Sequence, residues 1–283
     1  MSTDRLSAIV HRLGELPALP LAAADALRVI DDPHGDAASV ARAIEQDPAL
    51  AAKILQVSNS SYYGMRQFVG TLKLALVVLG VREVRNIVTG VAVFDALGGG
   101  GAAAFQARLW DHSLLVGGIA RQLETRLEAG LPGEAFLAGL LHDIGKLAIA
   151  RHDGGAYAAM AQAHGAELCA AEREVYGFTH ADVGAALAAH WHFPLPLIDA
   201  IRYHHTEDSA PLADAREPAL AALVRIANLA AYDEHAETQD ASLACADEEA
   251  WCVLAKVACP VAGAERFDTL KQIMTGLRAA PER

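Results

Sequence analysis

Ten consecutive residues, Leu137-Ala138-Gly139-Leu140-Leu141-His142-Asp143-Ile144-Gly145-Lys146, constrain this chain more than any other stretch. An apolar helical run ends in an adjacent histidine and aspartate, and a glycine and a lysine follow at once. The apolar flank predicts a buried helix, and a buried polar group without a partner costs free energy. The pair therefore needs hydrogen-bonding partners or a metal. A neutral imidazole beside an ionised carboxylate is half of a divalent metal site. Metal-ligand pair and hydrogen-bonded structural pair are both open readings at this point.

The rest of the pattern is helical. Alanine and leucine dominate, Val/Ile alternation is scarce and apolar residues recur at helical spacing, which predicts an all-α fold. Helices are expected over about 4–13, up to Ile30, from an Asp36 N-cap to about Glu45, and from Asp47-Pro48 to about Ser58. Aspartate at N-cap followed by proline at N1 is a start signal with a mechanism. Further helices are expected from Thr71 to near Gly80, over about 82–97, about 102–128 and into His142-Asp143. More follow over about 155–163, 166–176 and 180–190, then from Pro194 and Pro196 to Tyr203-His204-His205. The last are placed at about 217–234, 243–256 and 264–279. Four glycines, 98–101, are poorly tolerated in a helix. They divide the chain into an N-terminal helical lobe (1–97) and a second lobe (102–283), giving a two-lobed helical bundle.

Apolar residues make up 53% of the 283, enough for a sizeable core, and the formal net charge is -12. Nucleic-acid phosphates would be repelled, so no nucleic-acid partner is expected. No apolar run is long enough to span a bilayer and the first residues lack a signal layout, so a cytoplasmic protein without a membrane partner is expected. Cys169, Cys245, Cys252 and Cys259 show no CxxC spacing and read as small core residues; the last three are seven apart, near one face if that region is a single helix.

Histidine is concentrated: nine of twelve fall between residues 112 and 205. His112, His142, Asp143, His180, His204 and His205 offer N and O donors suited to one or two Fe, Mn, Zn or Mg ions. Two metals sharing a carboxylate could position and ionise a water for attack on a phosphoester. His180 at a helix start could equally cap, and a charged histidine at 204 or 205 would suit a helix C-terminus. Lys146 reads either as a phosphate anchor or as a cation in the last turn of a helix. Glu172 or Glu174 could orient a ligand histidine, or be surface charge. His152, His164, His190, His192 and His235 are read as having no role.

Leu137–Lys146 resembles the His-Asp segment of the HD superfamily of metal-dependent phosphohydrolases. The order of further motifs resembles one branch, the HDOD (HD-related output) domain of bacterial signalling proteins, over about residues 16–235. These are Leu16-Pro17-Ala18-Leu19-Pro20, Asp47-Pro48-Ala49-Leu50, Asn59-Ser60, Ala75–Gly80, Trp110-Asp111-His112-Ser113, Gly177–Gly184, Trp191, Pro194 and His204-His205. The resemblance implies a regulatory module that is not catalytic and acts through signalling proteins or a small nucleotide ligand. The six candidate ligands resemble the set of the related HD-GYP phosphodiesterases, which implies the alternative, a metal-dependent phosphohydrolase acting on a nucleotide or cyclic dinucleotide, with Lys146 on the phosphate. Two departures weigh against it. Asn228 stands where the family's final aspartate is expected, and no Gly-Tyr-Pro follows Lys146.

Overall fold

The structure, a computed structural model, describes residues 17–63, 65, 67–98, 103–131, 133–153, 156–205, 211–235, 242–258 and 261–279. The helix expected over 4–13, Gly99–Gly101, Cys259 and the side chain of His235 lie outside the described residues. Among the described residues the fold is helical without strands.

The first helices are α1 (Leu21–Ile30), α2 (Ala37–Glu45), α3 (Pro48–Ser58), α4 (Leu72–Leu79) and α5 (Val81–Leu97). Their starts follow from local chemistry. Asp36 and Ser39 cap each other's backbone N–H groups at α2. The Asp47 carboxylate accepts from the N–H groups of Ala49 and Leu50 ahead of Pro48, and Thr71 Oγ1 accepts from Leu74 N. Each cap satisfies donors that a helix start otherwise leaves unpaired.

Beyond the glycines come α6 (Ala103–Leu127), α7 (Ala135–Leu141), α8 (Ile144–His152), α9 (Ala156–Met160), α10 (Gly165–Tyr176), α11 (His180–His190), α12 (Leu195–Arg202), α13 (Pro218–His235), α14 (Ser242–Ala246), α15 (Glu248–Leu254) and α16 (Gly263–Ala279). The helix expected over 243–256 is two, because Asp247 stops one and caps the other through Ala250 N. Cys245 and Cys252 therefore share no helix face. Cys169 is buried as expected, but Cys252 is exposed and is no core residue.

Buried apolar side chains form two clusters. One gathers α1–α5 around Ile44, Ile54 and Ile87. The other gathers α6–α16 around Leu123, Leu141, Leu187 and Leu223. All seven residues of α7 are buried, because it serves both clusters: Phe136 and Leu140 face the first, Leu137 and Leu141 the second. Trp191 Nε1, at the end of α11, donates to Pro17 O at 2.8 Å and ties the first motif of the order to a late one.

Candidate metal centre

The His-Asp pair does not lie within one helix. α7 stops at Leu141 and α8 starts at Ile144, with Asp143 at φ -103, ψ 10 between them. The Asp143 side chain caps nothing on α8, so its carboxylate is free to face the interior, and the positive N-terminal end of α8 favours its charge. Lys146 is thus in the first turn of α8 and not in a last turn, so a favourable helix-end position does not explain it. What compensates the cation is Asp143 itself: Lys146 Nζ donates to Asp143 Oδ2 at 2.7 Å and to Tyr232 Oη at 3.0 Å.

The helix crossings bring all six sequence candidates together around the Asp143 carboxylate. Oδ1 faces His180 Nε2 at 3.2 Å and His204 Nε2 at 3.4 Å. Oδ2 faces His142 Nε2 at 3.2 Å and His112 Nε2 at 3.7 Å. His205 Nε2 is 2.8 Å from His180 Nε2. Two groups of donor atoms, each within 4.8 Å, share the one carboxylate: Asp143 with His180, His204 and His205, and Asp143 with His112 and His142. Asn228 joins the second group, its Oδ1 3.1 Å from His112 Nε2. All of these side chains are buried except His112, which is mostly so.

The imidazole tautomers are set from behind. His142 Nδ1 donates to Gly139 O and His204 Nδ1 to Ile201 O, each at 2.6 Å, and His180 Nδ1 donates to Glu172 Oε2 at 2.8 Å. A proton held on Nδ1 leaves a lone pair on Nε2. The Nε2 atoms then point at a carboxylate and at one another, lone pair against lone pair. His142 Nε2 and Asp143 Oδ1 are buried with no hydrogen-bond partner among the described residues. Such an arrangement requires a proton or a cation at its centre.

Electrostatics agree. Burial opposes charge on Asp143, but the neighbouring His142 and the Lys146 ammonium hold its carboxyl well below the usual carboxylate range. Burial pushes His204 down to about 3, and burial with the neighbouring imidazoles pushes His112 and His205 well down. At neutral pH these three are neutral, as ligands must be; none carries the helix-end charge expected for 204 or 205. His180 is the exception: burial disfavours its charge, but Glu172 and Asp143 together outweigh burial and raise its pKa. Of these imidazoles His180 is therefore the one that most favours a proton.

Glu172, of the two carboxylates singled out from sequence, is the buried one and also accepts from His180 N at 2.9 Å; Glu174 is exposed. Tyr157 Oη donates to Glu172 in turn. Sequence reasoning missed Tyr157, Tyr232 and Cys169, which lies within the Glu172–His180 donor group. It also discounted His164, whose ring lies 4.6 Å from that of Tyr232. Nothing local marks these residues; the helix crossings bring them in. A cavity of about 290 Å³ opens beside the cluster, lined by Arg108, His112, Asp143, Lys146, His164 and Tyr232. The donors fit a divalent ion.

Comparison with known proteins agrees with this architecture. An uncharacterized protein of Treponema pallidum (strain Nichols) is 28% identical over 220 residues, 74% of this chain; the match spans 41% of that relative's length. A Shewanella amazonensis SB2B protein named as a "putative phosphohydrolase" shares 28% identity at a TM-score of 0.70, over 97% of both chains. An HDOD domain protein from Geobacter sulfurreducens has the same fold, with a TM-score of 0.71 at 23% identity over 99% of both. The family model of the HDOD domain matches residues 16–207. The chain belongs to the HDOD domain family, a helical fold shared with a second Shewanella amazonensis SB2B protein, named as a "putative metal-dependent phosphohydrolase", at a TM-score of 0.64 and 20% identity.

Proposed function

We propose that this chain is an HDOD regulatory module that holds one divalent ion at Asp143, His180, His204 and His205 and takes a phosphate-bearing ligand, such as a small nucleotide, in the adjoining cavity without turning it over. The observation that carries the reading is the convergence of His180 Nε2 on His204 Nε2 at 3.3 Å and His205 Nε2 at 2.8 Å, with Nδ1 of His180 and His204 already engaged. The second donor group is the weaker. Lys146 places a cation against its carboxylate oxygen, and the uncharged Asn228 takes the place of a carboxylate. A second ion there competes with the ammonium. Loss of that position is what separates a binding module from an enzyme in this reading, and signalling proteins then read the occupied state.

A second reading, a metal-dependent phosphohydrolase, is favoured by the cavity itself, where Arg108 and Lys146 lie beside Asp143 and His112. A bound divalent ion supplies Lewis acidity towards a phosphoryl oxygen. In this chain Lys146 would neutralise phosphate charge, while Glu172 and the carbonyls of Gly139 and Ile201 keep the imidazoles in their ligating tautomer.

Elemental analysis of purified tag-free protein tests the proposal, with wild type beside the His142→Ala, Asp143→Ala double variant. About one equivalent of zinc, iron or manganese, absent from the variant, is expected. No metal after reconstitution would overturn it. Turnover of cyclic di-GMP or other nucleotides by metal-loaded protein, abolished in His142→Ala, would decide for the hydrolase.

A further inference from the structure

Besides the cavity at the histidine cluster, a second cavity opens on α6. This one, of about 280 Å³, lies where α3 and α5 meet α6 and α8. Two aromatic rings, Phe94 and Trp110, meet edge to face in its wall with centroids 4.7 Å apart. The side-chain amides of Gln56 and Gln106 add paired donors and acceptors. Lys53 and Asp95, the charged residues of the lining, are paired with each other. The lining therefore carries no net charge, whereas the cavity at the cluster sets Arg108 and Lys146 against Asp143.

Aromatic walls select a planar ring. Amides select a hydrogen-bonding edge. A neutral lining selects an uncharged ligand, because an anion would have to break the Lys53–Asp95 pair. The volume is at the low end of the about 300–1,000 Å³ typical of small-molecule sites, room for one ring system with a small substituent.

Two residue sets on α6 connect this cavity to the cluster. Ala103, Gln106, Ala107 and Trp110 line one cavity; Phe105, Arg108, Leu109 and His112 line the other. Each set follows the spacing of one helix face, and the two are offset by two residues, about 200° around the axis. The cavities thus lie on opposite faces of one helix. On α8, Leu147 lines the seam while its neighbour Lys146 lines the cluster cavity.

We propose that the seam cavity binds an uncharged planar nitrogen heterocycle, a nucleobase or nucleoside, and that occupancy is felt at the histidine cluster through α6 and α8. A ligand that moves Trp110 or Leu147 moves the backbone that carries His112 and Lys146. The binding stands without the metal reading; the coupling rests on it.

Calorimetric titration of the full chain tests both. Adenosine, guanosine, cytidine, uridine and the free bases are added to metal-stripped protein, then to protein loaded with zinc. Saturable one-site binding of at least one compound is expected, weakened about tenfold in Trp110→Leu and in Gln106→Leu, and little changed in Gln162→Leu, at an exposed residue that lines the cluster cavity. Gln106 is half-buried on a helix surface, so that variant keeps the test open if Trp110→Leu does not fold. Zinc is expected to change the affinity about fivefold or more, and the nucleoside to change zinc affinity by the same factor. No binding at millimolar concentration, or unchanged affinity in Gln106→Leu, would overturn the site. Loss of binding in Gln162→Leu would place the ligand in the other cavity and overturn it too. Affinity indifferent to zinc, in protein that binds zinc by elemental analysis, would overturn the coupling alone.

Discussion

The two apolar clusters bury polar groups in opposite ways. Among the described residues the buried polar side chains before the glycines are Ser58, Asn86 and Thr89, all uncharged. Each donates to a backbone carbonyl: Ser58 to Ile54 O, Asn86 to Gly133 O and Thr89 to Arg85 O. The second cluster buries His142, Asp143, Lys146, Glu172, His180, His204 and His205, and these face one another. The first is a core whose polar atoms are spent on backbone carbonyls, within a helix for Ser58 and Thr89 and across to Gly133 for Asn86. The second gives up apolar contact at its centre for a set of donors that the helices alone leave incompletely paired. Fold stability and chemistry are thereby placed in different regions, and substitutions should separate them.

The largest effect is expected at the helix crossing that assembles the cluster. A Cβ on Gly145 would run into the His180 carbonyl oxygen and lie 2.7 Å from Gly184 N. Neither backbone atom can move without moving α11, so Gly145→Ala should abolish metal uptake and cooperative unfolding of the second cluster, read by calorimetry; a native thermogram would show that the crossing is slack. In the first cluster, Ile87 is fully buried. Ile87→Ala should cost about 2–5 kcal/mol in urea denaturation while leaving metal content at the wild-type level. Metal loss there would mean the regions are not separable.

Acid should act on the second region. The raised pKa of His180 means that its proton competes with metal already above the ordinary histidine range, so affinity should fall as the pH is lowered from 8 to 6, by up to about tenfold per pH unit. Competition with a chelating dye at pH 8 and pH 6 measures this, and equal constants would remove His180 from the ligand set. Glu172→Gln keeps the shape but loses the charge behind His180. It should weaken metal binding by about 10–100-fold with little change in the urea midpoint; an unchanged dissociation constant would make Glu172 merely structural. The smallest effect is expected at the exposed Arg85–Asp31 pair of the first region. Arg85→Ala should cost less than about 1 kcal/mol and leave metal binding untouched, in contrast to the buried Lys146–Asp143 pair.

Much of the fold was legible because it is written locally. Asp36, Asp47-Pro48, Thr71 and Thr179 announce helix starts through bonds spanning two or three residues, and each start is where the sequence places it. Departures arise where a short-range signal was overlooked or a distant partner decides. Asp247 is a cap inside an otherwise continuous pattern. The first helical run ends at His142-Asp143 as the sequence places it, but α8, which starts at Ile144 and puts Lys146 in its first turn, was not expected.

The ligand residues were visible one by one, most as polar groups at helix ends and His112 within α6. Their convergence was not. The amino-acid sequence by itself determined an all-helical chain and the residue types able to hold a metal, because helical periodicity, capping and donor chemistry are properties of neighbours along the chain. Only the tertiary structure decided that Asp143 stands between two groups of imidazoles and that Glu172 and Tyr157 stand behind His180. It also decided that Lys146 and Asn228 crowd one side of the carboxylate. Those outcomes depend on how α8, α11 and α13 cross, which is set by close contacts between residues far apart in sequence.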